Sequence, residues 1–250
     1  MKSGKVVVTI EARMTSSRLP GKVLMQSCGK PMLQLMIERL KKAKRVDDII
    51  VATTINSEDD GIVDLCNEIG CSYFRGSEED VLDRVLSAAK SVNADIIVET
   101  TGDCPFIDWR HIDHLVEVYM DSDYDFVANN TVKSFPKGFD IRIFTTNMLQ
   151  KLNDSSSNPL DHEHVSIHFP EHDDIFKCYN WIAEGIENRP ELEVTLDEMG
   201  DYKLINAVFE GLYPHNKDFS CSDVICFIDQ NRELLGYIDG IKRTEFEYDG

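Results

Sequence analysis

Short apolar runs alternate with amphipathic stretches through the first hundred residues. Residues 6–10, 48–53 and 95–99 read as strands, two of them nearly continuous β-branched runs of the kind buried on both faces. Residues 31–43 fit a helix, with Pro31 near its start and Leu33, Met36, Ile37 and Leu40 on one stripe. Ser57 stands where an N-cap belongs, and Glu58, Asp59 and Asp60 suit the positive end of a helix running to Ile69. A short strand at 72–74 precedes a helix over 79–91 with Ser77 as its cap. Repeated βα units of this length predict a mostly parallel sheet with helices on both faces and right-handed crossovers.

The second half is less regular. Residues 126–129 read as a strand, 133–138 as a loop, 139–144 as an edge strand and 146–152 as a short helix. The polar, Ser-rich stretch 153–159 has the composition of a mobile loop. A strand is expected over 176–182, and a strand-like run at 192–196 leads into the acidic turn 197–201. A helix of about ten residues then ends near Gly211, a last helix covers 222–230, and the tail 243–250 is expected to fray. With no internal repeat, the simplest organisation is one α/β domain over 1–250 with a small lobe inserted at about 130–185.

Composition narrows the function classes. The 250 residues carry 26 Lys+Arg against 45 Asp+Glu, a net charge of −19, which disfavours nucleic acid and anionic membranes as partners. No apolar run is long enough to cross a bilayer, and the N-terminus does not read as a secretory signal. Seven cysteines are scattered; Cys66/Cys71 and Cys221/Cys226 lack tight zinc-ligand spacing, so buried thiols in a reducing cytoplasm are expected.

Against that acidic background Arg13, Arg18 and Lys22 crowd one short loop, directly after the first strand. The carboxyl edge of an open α/β sheet is where ligands bind, and a strong acid such as a triphosphate needs Arg forks, a Lys point charge and turn amides. Thr100-Thr101-Gly102-Asp103-Cys104-Pro105 follows the strand at 95–99, which puts Asp103 on the same edge. A carboxylate facing a polyphosphate site commonly holds Mg2+, with capping of the helix near 109–121 as the plainer reading. Asp197 is placed alike, after a strand-like run and before a helix, and gains weight from pairing with Asp103. The Asp-X-Asp spacing in Asp121-Ser122-Asp123-Tyr124-Asp125 precedes a strand and reads as a solvated turn. Phe135, Phe139 and Phe144 suit core better than an interface.

The loop at 13–22, the run from Phe74 to Arg84, Thr101-Gly102-Asp103-Cys104-Pro105 and Asp161-His162-Glu163-His164-Val165 together resemble cytidylyltransferases of the spore-coat polysaccharide SpsF type. These are relatives of the CMP-KDO and CMP-acylneuraminate synthetases. The resemblance implies a nucleotide-diphosphosugar transferase-like (GT-A-like) fold, Mg2+ dependence, and transfer of CMP from CTP to an acidic sugar with release of pyrophosphate. It also implies a homodimer, with the loop at 133–139 contributing. Carried over by position, Arg13, Arg18 and Lys22 hold the triphosphate, with Ala12, Met14, Ser17, Thr101 and Gly102 lining the nucleotide site. Lys22, Arg13 and Asp103 become the catalytic set and Asp103 with Asp197 the metal ligands. Arg75, Arg84, Arg142, His162 and His164 become substrate-pocket candidates. The chain departs from the family at Thr15-Ser16-Ser17, where a glycine is usual, and at Arg142, where relatives often carry an acid. The rival readings are a glycosyltransferase of similar fold and an inert CTP-binding sensor.

Overall fold

The computed structural model describes residues 2–166, 169–172 and 176–241, so the expected frayed tail at 243–250 lies outside the described residues. Strand β1 (Val6–Glu11) leads to a two-residue hairpin, β2 (Gln26–Ser27) with β3 (Lys30–Pro31), then helix α1 (Met32–Leu40). Next come β4 (Asp48–Thr54), α2 (Asp60–Ile69), β5 (Ser72–Gly76), α3 (Val81–Ser91), β6 (Ile96–Thr101) and α4 (Trp109–Asp121). The second half adds β7 (Phe126–Ala128), β8 (Arg142–Thr145), α5 (Thr146–Ser155), α6 (Pro159–His164), β9 (Cys178–Asn180), α7 (Met199–Leu212) and α8 (Cys221–Gln230).

Seven strands form the main sheet in the order β5-β4-β1-β6-β8-β7-β9. The pairs β5–β4, β4–β1, β1–β6 and β7–β9 are parallel; β8 runs antiparallel to both of its neighbours. Successive β1 side chains point to opposite faces. Val6, Val8 and Ile10 join α1, α2 and α4 on one face, while Val7 joins Ile50 and Ile97 against α3 and α5 on the other. Helices therefore cover both faces, which is why the central strands lack polar alternation. A third apolar layer, with Leu35, Phe106, Val194, Leu196, Phe209 and Phe219, seats α7 and α8 beyond α1. Among the described residues no helix is long and apolar enough to cross a membrane.

Several expectations are corrected. The run at 139–144 is no edge strand: β8 begins at Arg142 and lies between β6 and β7, with Ile143 and Phe144 buried in the layers on opposite faces. The edge belongs to β9, which is three residues rather than 176–182. Residues 192–196 form no ladder; one bridge joins Glu193 to Lys137, and Val194 and Leu196 point into the third apolar layer instead. The stretch 153–159 is largely helical, since α5 runs to Ser155 and Asn158 caps α6 through Leu160 N–H. The helix at 31–43 is shorter, Met32–Leu40, and the one after the acidic turn is longer, at 14 residues. Asp80, not Ser77, caps α3, and Ser57 opens a single 3-10 turn before α2. Phe135, Phe139 and Phe144 are buried, as core residues should be.

One buried cation fixes the turn that carries Asp103. Arg39 on α1 is 3% exposed and donates to the carbonyls of Ile107 (3.0 Å), Phe106 (3.0 Å) and Phe219 (2.9 Å), with its guanidinium over the Phe219 ring. Burial lowers its pKa to about 10, still charged at neutral pH. Arg39→Met leaves three buried carbonyls unpaired, so urea unfolding should show a loss of about 2–4 kcal/mol.

Candidate active site

Residue Glu11 ends β1 and the chain turns out of the sheet at Ala12. The loop that follows is pinned by Asp59, a fully buried acid after β4. Its carboxylate accepts from Met14 N–H (2.7 Å), Thr53 Oγ1 (3.1 Å), Thr54 N–H (3.0 Å) and the Thr54 hydroxyl. Gly21 adopts φ 75°, a left-handed conformation that suits glycine, and its N–H closes the loop on Met14 O at 2.8 Å. Thr15, in the segment where a glycine is usual, bonds Glu78 through its hydroxyl.

The next strand supplies Asp103. Gly102 donates to Glu11 O at 2.8 Å, and a Cβ there would stand 3.0 Å from that same oxygen, so only glycine lets the two strand ends approach this closely. Asp103 does not cap α4; Asp108 does, accepting from Arg110 N–H. Its backbone carbonyl instead accepts from Leu196 N–H at 2.8 Å, which draws the distant 192–197 segment onto the same edge. That segment is held from behind by the Lys137 backbone, whose N–H donates to Leu192 O and whose carbonyl accepts from Val194 N–H; next to it Gly138 (φ 112°) leaves no room for a Cβ, which would stand 3.0 Å from Val194 O. Asp197 leaves helix capping to Glu198 and Asp201, so its carboxylate faces the cleft.

Lys22 joins these segments. Its Nζ lies 3.1 Å from Asp103 Oδ2 and 2.9 Å from Asp197 Oδ1, and Arg18 Nη2 reaches Asp197 Oδ1 at 3.0 Å. Burial works against the Lys22 ammonium, but Asp103 and Asp197 outweigh it and raise its pKa. Burial would lift the Asp103 carboxyl; Lys22 and the Thr101 hydroxyl overcome it and hold the group below the usual carboxylate range. Arg13 pairs with Glu78 at 3.2 Å.

These groups line an open cleft of about 590 Å³ at the carboxyl ends of β1 and β6. Of the expected residues, Ala12, Arg13, Ser17, Arg18, Lys22, Arg84, Thr101, Gly102, Asp103, His164 and Asp197 line it. Met14, Arg75, Arg142 and His162 are not among its lining. Arg75 holds the loop after β4 through Thr54 O, Asn56 O and Asp60, each at 2.7 Å. Arg142 pairs with Glu99 at 2.8 Å. His162 lies 2.9 Å from Asp80, whose hydrogen bond raises the imidazole pKa. The Asp121–Asp125 segment sits at the amino end of β7, the edge of the sheet away from the cleft.

Sequence reasoning missed Glu11, Glu78 and Glu99. Glu78 clamps Arg13, Thr15 and Asn56. Glu99, buried, and Glu11, half-buried at the cleft, form an acidic pair facing Arg84 and Arg142, with Ser166 donating to Glu99. The one signal was a charged residue ending each of two otherwise apolar strands. Burial, then Glu99, pushes the Glu11 carboxyl up to about 8. Burial likewise raises Glu99, against the opposing pull of Arg142.

A cationic loop facing two carboxylates at the carboxyl edge of a mostly parallel sheet belongs here to a nucleotidyltransferase, the class that the family match defines. The chain belongs to the cytidylyltransferase family, whose model matches residues 7–234. It is similar to a cytidylyltransferase structure from Leptospira borgpetersenii, with a TM-score of 0.87 and 34% identity over 96% of this chain and 99% of that one. The spore coat polysaccharide biosynthesis protein SpsF of Bacillus subtilis is 29% identical over 238 residues, 90% of this chain and 95% of that protein. The 3-deoxy-manno-octulosonate cytidylyltransferase of Trichlorobacter lovleyi is 34% identical over 145 residues, 52% of this chain and 56% of that protein.

In the native fold Glu11 keeps a proton that the unfolded chain releases near 4.5. Stability therefore falls as pH rises from 4.5 toward 8, the range in which only the folded state binds that proton. In metal-free buffer, Glu11→Gln should flatten this decline in thermal midpoint, the variant gaining on the parent as pH rises.

Proposed function

We propose that this cytidylyltransferase moves CMP from CTP to a hydroxyl of an acidic sugar and releases pyrophosphate, serving surface polysaccharide synthesis. The observation that carries the reading is the meeting of Lys22 with both Asp103 and Asp197, which lie 81 and 175 residues away along the chain. They meet at the carboxyl edge of the sheet, where ligands bind in an open α/β fold.

The aspartate pair fits a divalent cation. The Lys22 ammonium already stands between the two carboxylates, and this shared cationic contact supports the reading. Mg2+ takes one or two carboxylates and fills its remaining positions with water and phosphate oxygens. When bound, Mg2+ neutralises phosphate charge and lowers the pKa of a hydroxyl. Asp103 and Asp197 are the residues to hold it.

The chain's own residues do the rest. Arg13, Arg18 and Lys22 grip the triphosphate, turning from Glu78, Asp197 and Asp103, with which they are paired. The acceptor hydroxyl attacks the α-phosphorus in line with the departing pyrophosphate. Arg18 and Lys22 stabilise the charge that develops on the leaving group, so catalysis is mainly positioning and electrostatics. Gly102 lets the ends of β1 and β6 approach closely, which keeps Asp103 beside the cationic loop. The resemblance to acid-sugar synthetases supports the acceptor class. The proposal extends to a cytoplasmic homodimer whose contact falls within the 130–185 region, where Val132 and Ile182 stand exposed.

Asp103→Asn should lower pyrophosphate release by roughly 100-fold or more with the circular dichroism spectrum unchanged. A variant that keeps full turnover rules out the role given to Asp103. CTP binding by calorimetry without pyrophosphate release from any sugar acid would favour the inert sensor instead.

A further inference from the structure

The loop after β1 leaves the sheet without losing its hold on β4. Ala12 N–H makes the last ladder bond, to Ala52 O at 3.3 Å. In a parallel pair the next donor is two residues on, so Met14 N–H would reach Thr54 O. That carbonyl instead accepts from Arg75 Nε at 2.7 Å. Asp59 Oδ1 takes its place and accepts from Met14 N–H at 2.7 Å. A side-chain carboxylate thus substitutes for the next backbone acceptor, and Arg13 is tied to the β4 side through both of its neighbours.

The two oxygens of Asp59 divide the work. Oδ2 gathers Thr53 Oγ1 at 3.1 Å, Thr54 N–H at 3.0 Å and the Thr54 hydroxyl, all at the end of β4, while Oδ1 holds Met14. Asp59 is 0% exposed and does not line the cleft, so it acts on a ligand only through the loop. Met14 is also where the loop closes, its carbonyl accepting from Gly21 N–H at 2.8 Å. Just beyond Met14, the N–H groups of Thr15, Ser16, Ser17 and Arg18 make no hydrogen bond to a described residue, and Ser16, Ser17 and Arg18 line the cleft. Free amides in a turn bind an anion best when the chain is held in place beforehand, because a ligand that has to order the loop loses affinity in doing so. Glu78 holds the side chains of Arg13 and Thr15, but the Met14 backbone rests on Asp59.

We propose that Asp59 is a positioning residue for nucleotide binding, acting through Met14 to hold Arg13 and the free amides ready for the triphosphate. The proposal rests on the CTP reading above and gives a residue outside the cleft a share in the nucleotide's affinity.

The test is calorimetry of CTP with Mg2+ on the full-length protein and two variants. Asparagine has one acceptor oxygen, so Asp59→Asn keeps it on the three donors around Oδ2 and turns its NH2 toward Met14 N–H. The Kd for CTP should rise roughly 10-fold, the scale of one hydrogen bond to a charged group. Thr53→Val removes a bond to the other oxygen and leaves the Met14 tether, so it should lower the thermal midpoint with the Kd for CTP unchanged. An Asp59→Asn protein that binds CTP like the parent, or two variants weakened alike, overturns the proposal and leaves the nucleotide reading standing. Amide exchange on the unaltered protein tests the tether without depending on a variant that folds. Met14 N–H should exchange slowly before CTP is added, and the amides of Thr15 to Arg18 should slow on its addition. Met14 exchanging as fast as Ser16 in the free protein also overturns the proposal. No CTP binding by the parent overturns it together with the nucleotide reading.

Discussion

The arrangement depends on one ammonium shared by two carboxylates. Lys22 comes from the loop after β1, Asp103 from the turn after β6 and Asp197 from the segment before α7, and they meet within 3.1 Å. In water such a pair contributes little. Here Lys22 and Asp197 are each 12% exposed, so removing any member leaves charge in a half-dry place. The same contacts keep the cleft from being an unbalanced cluster. Each cation of the loop rests on an acid, Arg13 on Glu78, Arg18 on Asp197 and Lys22 on both aspartates.

The first half was legible because period and burial agree there. Val6, Val8 and Ile10 alternate with Val7 between two apolar layers, and the βα spacing leaves little choice but a parallel sheet. The edge position of Asp103 and of the basic loop follows from that alone. The second half misled where apolar residues are buried for reasons other than strand pairing. Val194 and Leu196 look like strand residues and are buried by α7 and α8 instead. Ile143 and Phe144 look half-exposed by alternation yet are enclosed, since β7 and β9 lie beyond β8.

Residue roles were harder to read than positions. Arg75 and Arg142 are cations of the right kind near the right edge, but local carbonyls and Glu99 engage them, which only coordinates reveal. Glu11 and Glu99 were hidden for the opposite reason. A carboxyl at the end of an apolar strand looks like a solvated terminus, and its burial depends on Arg84 and Arg142 from elsewhere in the chain.

The bond from Leu196 N–H to the Asp103 carbonyl has a consequence for biosynthesis. A nascent chain emerging from the ribosome can complete β1 through β6, and with them the cationic loop, long before Asp197 is made. Until the last quarter docks, the loop lacks Asp197, one of its three counter-charges. Premature termination would thus leave Arg18 without its acid and Lys22 with Asp103 alone, an excess of positive charge at the sheet edge that only the later chain balances.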